Sequence, residues 1–302
     1  MARTISRIAV TPMIGRALDE ALAFAALHPV GQLDGPTRLR LLTHLTSAPE
    51  GTIVLANSRG ELALVATVVD VIAESHAPAE LVILGARRVE SNVFAHEVLA
   101  PAKLFARSAG RRALHLSRPS CVEDLDEVLE GAGYVFAYEV ILMRRLGTAD
   151  ACEPLLPPGW RWAPLDDALV PQVHTALLEM FRGSPSTTLP PLAEFRRGAF
   201  LSPPGWHVLL DGDVVAGLVR LSAQGTQGEV RVLGRRPAYR GRGLGELLLA
   251  RALRLLADLE AGAVTLEVAA TNEGALALYR GFGFEVVTQK PVYATVLCQE
   301  GS

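Results

Sequence analysis

Cysteine, lysine and long apolar runs are all scarce in this 302-residue chain, and each scarcity closes a class of function. Cys121, Cys152 and Cys298 are odd in number, far apart and never arranged as C-x-x-C. A disulfide framework or a zinc site needs paired or clustered thiols, so neither is expected, and the three are read as reduced side chains. His28, His44, His76, His96, His115 and His174 form no ligand cluster, and no metal is expected. No stretch reaches the roughly 18–20 uninterrupted apolar residues of a membrane span. The first residues meet Pro12 and then Asp19 and Glu20 before any long apolar run, a poor secretory signal. A cytoplasmic protein without a membrane partner is the expectation.

Charge of one sign is missing as well. There are 29 Lys+Arg against 32 Asp+Glu. The split is even: 15 against 17 in residues 1–150, and 14 against 15 in residues 151–302. Neither half has the positive excess that a phosphate backbone demands, so nucleic acid is not an expected partner. Lys103 and Lys290 are the only lysines, which also leaves most of the second half without a Walker-type lysine. What remains is half apolar and one fifth charged, the composition of a globular protein with ample core. The length has room for two ordinary domains.

Residues 146–159 (LGTADACEPLLPPG) hold Gly147, Pro154, Pro157, Pro158 and Gly159 without apolar periodicity, and read as a linker. Beyond it, a strand is expected at 160–165 and a helix at 166–181, with Leu169, Val173, Leu177 and Met180 on one face. A weaker helix follows at 192–200. WHVLLDGDVVAGLVRLSA then reads as a hairpin turning at Asp211-Gly212. A strand at 229–235, a long helix at 244–261, a strand at 264–269, a helix at 273–279 and a strand interrupted by Pro291 at 285–297 complete the half. This order implies a mixed sheet with helices on both faces.

The first half repeats it. Helices are expected at 18–27 and 38–45, a hairpin at 52–56 and 61–71, a strand at 80–84, and a helix at 93–109. A strand at 113–116, a helix at 122–129 and a strand at 135–143 follow. AELVILGARR (79–88) aligns with GEVRVLGRRP (228–237), placing Glu80 on Glu229 and Leu84-Gly85 on Leu233-Gly234. LEGAGY (129–134) aligns with YRGFGF (279–284). The expectation is a tandem repeat of α/β (α+β) class, each copy a mixed, mostly antiparallel sheet flanked by helices. Its domains are set at 1–147 and 160–302 around a linker at 148–159.

Arg240-Gly241-Arg242-Gly243-Leu244-Gly245 lies between a strand and an amphipathic helix. The first N–H groups of such a helix have no intrahelical acceptor, and glycines let the backbone turn with positive φ close to a ligand. With the helix dipole, this makes an anion site suited to a pyrophosphate, to which Arg240 and Arg242 add charge-assisted bonds. The spacing G-x-G-x-G is not that of the dinucleotide fingerprint.

The stretch from Val232 to Gly245 (VLGRRPAYRGRGLG) resembles motif A of the GNAT superfamily, whose core is Arg/Gln-x-x-Gly-x-Gly/Ala. Arg240, Gly243 and Gly245 hold those positions. Asn272-x-x-Ala275-x-x-Leu278-Tyr279-x-x-x-Gly283-Phe284 resembles the family's motif B at every position. The resemblance implies an acetyl-CoA-dependent N-acetyltransferase that acts on an amine of a small molecule or protein by direct transfer in a ternary complex. It implies pyrophosphate binding by Arg240 to Gly245, pantetheine pairing by the backbone of Leu233 and Arg235 beside Gly234, and a CoA-binding role for Asn272. Where Arg235 stands, relatives usually carry a β-branched apolar residue.

For the proton transfers, the resemblance implies Glu229 as general base and Tyr279 as the donor to the leaving thiolate. Glu267 is a second candidate base, and Glu229 also reads as a plain carboxylate at a strand start. Tyr279 also suits a core aromatic, and Asn272 an N-cap. His207 lies near the acceptor side but reads as structural. Trp160, Trp162 and Trp206 read as packing anchors. The loop positions of the first half are Ser91-Asn92-Val93-Phe94-Ala95-His96, Leu129 stands for Tyr279, and Pro119 and Ser120 lie where Asn272 would fall. That half resembles a degenerate copy, left with covering the sheet edge, shaping the acceptor cleft, or self-association as a homodimer. The tandem length and GEVRVLG are also similar to the mycothiol synthases, whose first half usually keeps a glycine loop. An acyl-CoA sensor without turnover would carry the same two motifs.

Overall fold

The computed structural model describes residues 5–8, 16–27, 51–57, 61–70, 78–148, 152, 155–182, 184, 189, 192–200 and 204–297. The helix expected at 38–45, Cys298, and parts of the linker and of the 181–204 stretch lie outside them. The chain forms two compact units, residues 1–137 with 291–302, and residues 138–290.

In the first unit, β1 (Ile5–Ile8), β2 (Thr52–Asn57), β3 (Leu62–Asp70) and β4 (Ala79–Ala86) pair antiparallel in sequence order. β4 then runs parallel to β5 (Ala113–Ser117). Alternation sorts the side chains between the faces. Ile53 and Leu55 join the main core with Phe94, Leu99 and Leu116. Val54, Val65 and Leu84 meet Ala21, Phe24 and Ala25 of α1 (Arg16–Leu27). After β4 come a helical turn at Ser91–Val93, a π-helical stretch at Phe94–Leu99, and α2 (Ala100–Ser108). α3 (Leu125–Gly131) follows β5.

In the second unit the sheet runs β6 (Val135–Leu146), β11 (Ala263–Ala269), β10 (Gln227–Arg235), β9 (Val214–Gln224), β8 (Pro204–Asp211) and β7 (Trp160–Pro164). The expected hairpin is β8–β9, closed by Gly212 at φ +59°. Among the described strands of this unit, only β10 and β11 are parallel. α4 (Val170–Met180) and α5 (Leu192–Gly198) share a core with Trp206, Val208 and Leu218. α6 (Leu244–Asp258) presses Leu248, Leu249 and Leu253 against Ala216, Val219 and Leu221 of β9. α7 (Glu273–Gly281) precedes the last strand. Among the described residues no helix is long and apolar enough to cross a membrane.

The units do not divide at the expected linker of 148–159. Residues 140–146 of β6 pair antiparallel with 263–269 of β11, inside the second unit. Gly147 N donates to Gly262 O (2.8 Å) and Thr148 Oγ1 to Ala261 O (2.9 Å), so the start of the proline-rich stretch is tied to that unit. Reciprocally, residues 292–296 of β12 (Glu285–Val296) pair antiparallel with β5 in the first unit. Pro291 does not interrupt the strand. Its carbonyl accepts from Arg118 N (3.0 Å), and a proline needs only to avoid a donor position.

A testable consequence follows for truncation. A chain starting at residue 160 loses β6, and with it the partner of β11 and the buried Ile141 and Met143, worth about 1.5–3 kcal/mol each. Such a fragment should scatter light and lack a cooperative melt, whereas one starting at 138 should melt cooperatively. Equal behaviour of the two fragments would contradict the strand assignment.

Candidate functional site

β10 and β11 stay paired from Gln227–Ala263 to Val230–Leu266 and then part. On its other edge β10 remains bonded to β9 as far as Arg235, and β11 to β6 as far as Ala269. Residues 231–235 and 267–269 therefore each keep one ladder and turn the other edge into a cleft of about 610 Å³. A register shift against β9 between Val230 and Val232 bends β10 where the strands separate. Met180, Phe181 and Ser184 form one wall, and Asn272, Gly274, Ala275, Leu278 and Tyr279 another.

Beyond β10 the chain makes a short turn at Pro237–Tyr239 and enters the glycine loop. Gly241 (φ +74°) and Gly243 (φ +71°) are left-handed, and Gly243 caps α6 where a side chain would otherwise do so. A Cβ at either would meet nothing within 4 Å, so the loop is open on its outer side. Leu244 anchors the helix start in the core, and Gly245 lets Leu278 approach its Cα (3.1 Å from a built Cβ). The two arginines differ. Arg240 lines the cleft with no ion pair to any described residue, while Arg242 stacks over the Tyr239 ring at 5.2 Å. Tyr239 packs edge-on against Trp160 at 5.6 Å and donates to Asp211 Oδ2 at 3.2 Å. The N–H groups at the helix start, the helix dipole, the Arg240 guanidinium and the open strand edges fit an acyl-CoA: anion at the loop, amide-bearing arm along β10.

Asn272 caps α7, its Oδ1 accepting from Ala275 N at 3.2 Å, and lines the cleft. Tyr279 is 7% exposed and packs against Phe284 at 6.0 Å. Its hydroxyl makes no hydrogen bond to a described residue and is not sealed in the core, so it opens on the cleft. Burial pushes its pKa up to about 12.

The two candidate bases are placed differently. Glu229 Oε2 accepts from Ser222 Oγ and from Arg231 Nε, each at 2.8 Å, and its side chain is 16% exposed. It stands just inside the last paired residues of β10, while its neighbours Val230 and Arg231 line the cleft. Glu267 lines the cleft directly, half exposed, and pairs with Lys290 at 2.6 Å. Leu233, Gly234 and Arg235 all lie along the cleft edge of β10. His207 and Trp162 lie apart from the cleft lining. Burial and the charge of Arg251 lower the pKa of His207, the state of a neutral structural imidazole. Sequence reasoning missed Arg231, Ser222, Phe181 and the role of Met180 as a wall. Only Arg231, two residues along the strand from Glu229, left a signal. Among the described residues no cluster could hold a metal ion.

The first unit has no counterpart to the loop. Four residues, Arg87 to Glu90, connect β4 to the helical turn at Ser91, against eight, Arg236 to Gly243, between β10 and α6. The aligned residues Ser91 to His96 are helical, with Phe94 wholly buried. Val89 N donates to Cys121 O (2.9 Å) in a parallel bridge beyond the paired part of β4 and β5, a link the second unit lacks.

Mixed sheets with a splayed parallel pair, ending on a glycine-rich helix start, define the class. Residues 170–284 match the acetyltransferase (GNAT) family. A mycothiol acetyltransferase of Nocardia farcinica is 31% identical over 255 residues, which cover 80% of this chain and 82% of that one. A mycothiol acetyltransferase of Mycolicibacterium gilvum is 34% identical over 142 residues, 44% of this chain. There the match spans about half the relative (46%), and in two further relatives it is also below two thirds. In fold, the chain is similar to a tandem GNAT protein from the clavulanic acid biosynthesis pathway. That likeness has a TM-score of 0.65 at 15% identity and covers 99% of this chain and 100% of that one. The chain belongs to the GNAT acetyltransferase family.

Proposed function

We propose that residues 138–290 carry an acetyltransferase site that moves an acetyl group from acetyl-CoA to an amine. The acceptor is a small molecule or a protein amino group, and transfer is direct within a ternary complex. The observation that carries this reading is the parting of β10 and β11 onto the glycine loop. The N–H groups at the start of α6 and the Arg240 guanidinium hold the pyrophosphate, and Asn272 adds an amide donor. The free edge of β10 at Leu233 and Arg235 pairs with the pantetheine amides, with Gly234 between them. The thioester supplies the acetyl group to the attacking amine nitrogen. Glu229, oriented by its bonds from Ser222 and Arg231, accepts the amine proton, and Tyr279 gives its proton to the departing sulfur. Arg242, exposed on the loop and held over the Tyr239 ring, adds its charge to the anion site.

A thiol-sugar amine of the mycothiol type is a second reading of the acceptor, supported by the extent of the match to the Nocardia farcinica relative. CoA release from acetyl-CoA across an amine library, a thiol-sugar amine included, separates these readings. Turnover is expected with at least one amine, and acetyl-CoA binding without turnover on any would leave an acyl-CoA sensor. With the acceptor found, Glu229→Gln should lower kcat by roughly 10²-fold at unchanged acetyl-CoA affinity. Wild-type kcat in that variant, with loss in Glu267→Gln instead, would move the role to Glu267.

A further inference from the structure

Met180 ends α4 and Phe181 follows as its cap, and both lie on the cleft beside β10. Gly234 is what admits them. A Cβ built there would stand 2.8 Å from Met180 Sδ and 3.5 Å from Phe181 Cε2. Its φ is not positive, so close packing, and not backbone conformation, accounts for glycine at this position. The thioether thus lies on the strand one residue from Leu233, between the glycine loop and the crotch at Val230 and Leu266.

A bidentate ion pair fixes this wall. Arg236 donates from Nε to Glu179 Oε2 (2.9 Å) and from Nη2 to Glu179 Oε1 (2.8 Å). Arg236 N also donates to Ala216 O (2.9 Å), so the guanidinium springs from an anchored backbone. The last turn of α4 is thereby bolted to the residue joining β10 to the Pro237 turn. Two parallel charge-assisted bonds add direction as well as attraction.

We infer that Met180, held over Gly234 by the Glu179–Arg236 pair, sets the length of acyl chain that the cleft accepts. The inference rests on the acyl-CoA reading above. An arm paired at Leu233 ends one residue from the glycine under the thioether, so an acyl chain that turns onto the face of β10 covered by Met180 must displace it as methylenes are added. Methionine is flexible and yields in part, so longer chains are disfavoured rather than barred. One methylene in an apolar pocket shifts discrimination by about 10-fold or more. Glu179 and Arg236 act through Met180 and are positioning residues.

Calorimetry of the full chain with acetyl-, propionyl- and butyryl-CoA provides the test. Wild type should bind acetyl-CoA more tightly than butyryl-CoA. Met180→Ala should raise the butyryl-to-acetyl affinity ratio by about 10-fold, and Glu179→Gln should raise it by a smaller factor in the same direction. Met180→Leu keeps the volume but yields less, and should lower the ratio; it decides the matter if the alanine variant fails to melt cooperatively. Ratios equal to wild type in folded variants would overturn the inference while leaving acyl-CoA binding intact. Absence of binding by wild type to any of the three would overturn the acyl-CoA reading, and this inference with it.

Discussion

Replacing Tyr279 with phenylalanine should lower kcat by roughly 10²-fold or more, the loss typical of a general acid, while acetyl-CoA affinity stays within about twofold. The ring supplies the packing: it is 7% exposed, belongs to the core under α6 and meets Phe284. Phenylalanine keeps that ring and leaves no cavity. What disappears is one hydroxyl, bonded to no described residue and open to the cleft. Its pKa, pushed up to about 12 by burial, keeps it protonated and able to donate through neutral pH. It therefore introduces no alkaline fall in rate between about pH 6 and 9. The linked stability effect has a definite sign. A phenol whose folded pKa is raised contributes stability present below its unfolded value of 10.0 and lost as pH rises toward about 12. The Tyr279→Phe variant, with no phenol to ionise, lacks that loss. Steady-state kinetics with calorimetry check both parts, and an unchanged kcat would assign the proton to solvent.

Elements written in local chemistry are legible in the sequence. Asp211-Gly212 marks the β8–β9 turn, Asn272 accepts from Ala275 N as an N-cap, and Gly241 and Gly243 do adopt positive φ. The exchange of β6 and β12 between units was not legible. Both are apolar strands after a helix ending in a Gly-x-Gly-like turn, and nothing in a strand's sequence names its partner across more than a hundred residues. Prolines mark turns and so place a break at the proline cluster, whereas Gly147 and Thr148 are bonded to Gly262 and Ala261. Arg240 and Arg242 look alike in sequence, yet only three-dimensional packing sets Arg242 over Tyr239. Met180 read as one more apolar residue of a helical stripe, since its role depends on a glycine 54 positions later in the chain, Gly234. In the first half, the missing glycines announce a lost loop, and the helix expected from residue 93 begins two residues earlier, at Ser91.

That contrast between the halves sets the binding stoichiometry: calorimetry of the full chain with acetyl-CoA should give one site per chain, and Gly243→Asp should abolish it. At residue 243 the backbone sits at φ +71° with open space around it, so any side chain is strained and projects toward the position proposed for the pyrophosphate. Aspartate also sets a negative charge beside the first N–H groups of α6, replacing attraction of a pyrophosphate by repulsion. Because a built Cβ meets no atom within 4 Å, the substitution should leave the core under Leu244 and Leu248 in place. The melt without ligand should stay cooperative, and acetyl-CoA should raise the midpoint of wild type only. The first unit offers no second site on this account. Its four-residue connection has no positive φ, Phe94 fills the core where the loop would open, and Val89 is bonded to Cys121. Two equivalent sites in wild type, or one surviving in the Gly243→Asp chain, would mean that the first unit binds the ligand by a route its helix start does not provide.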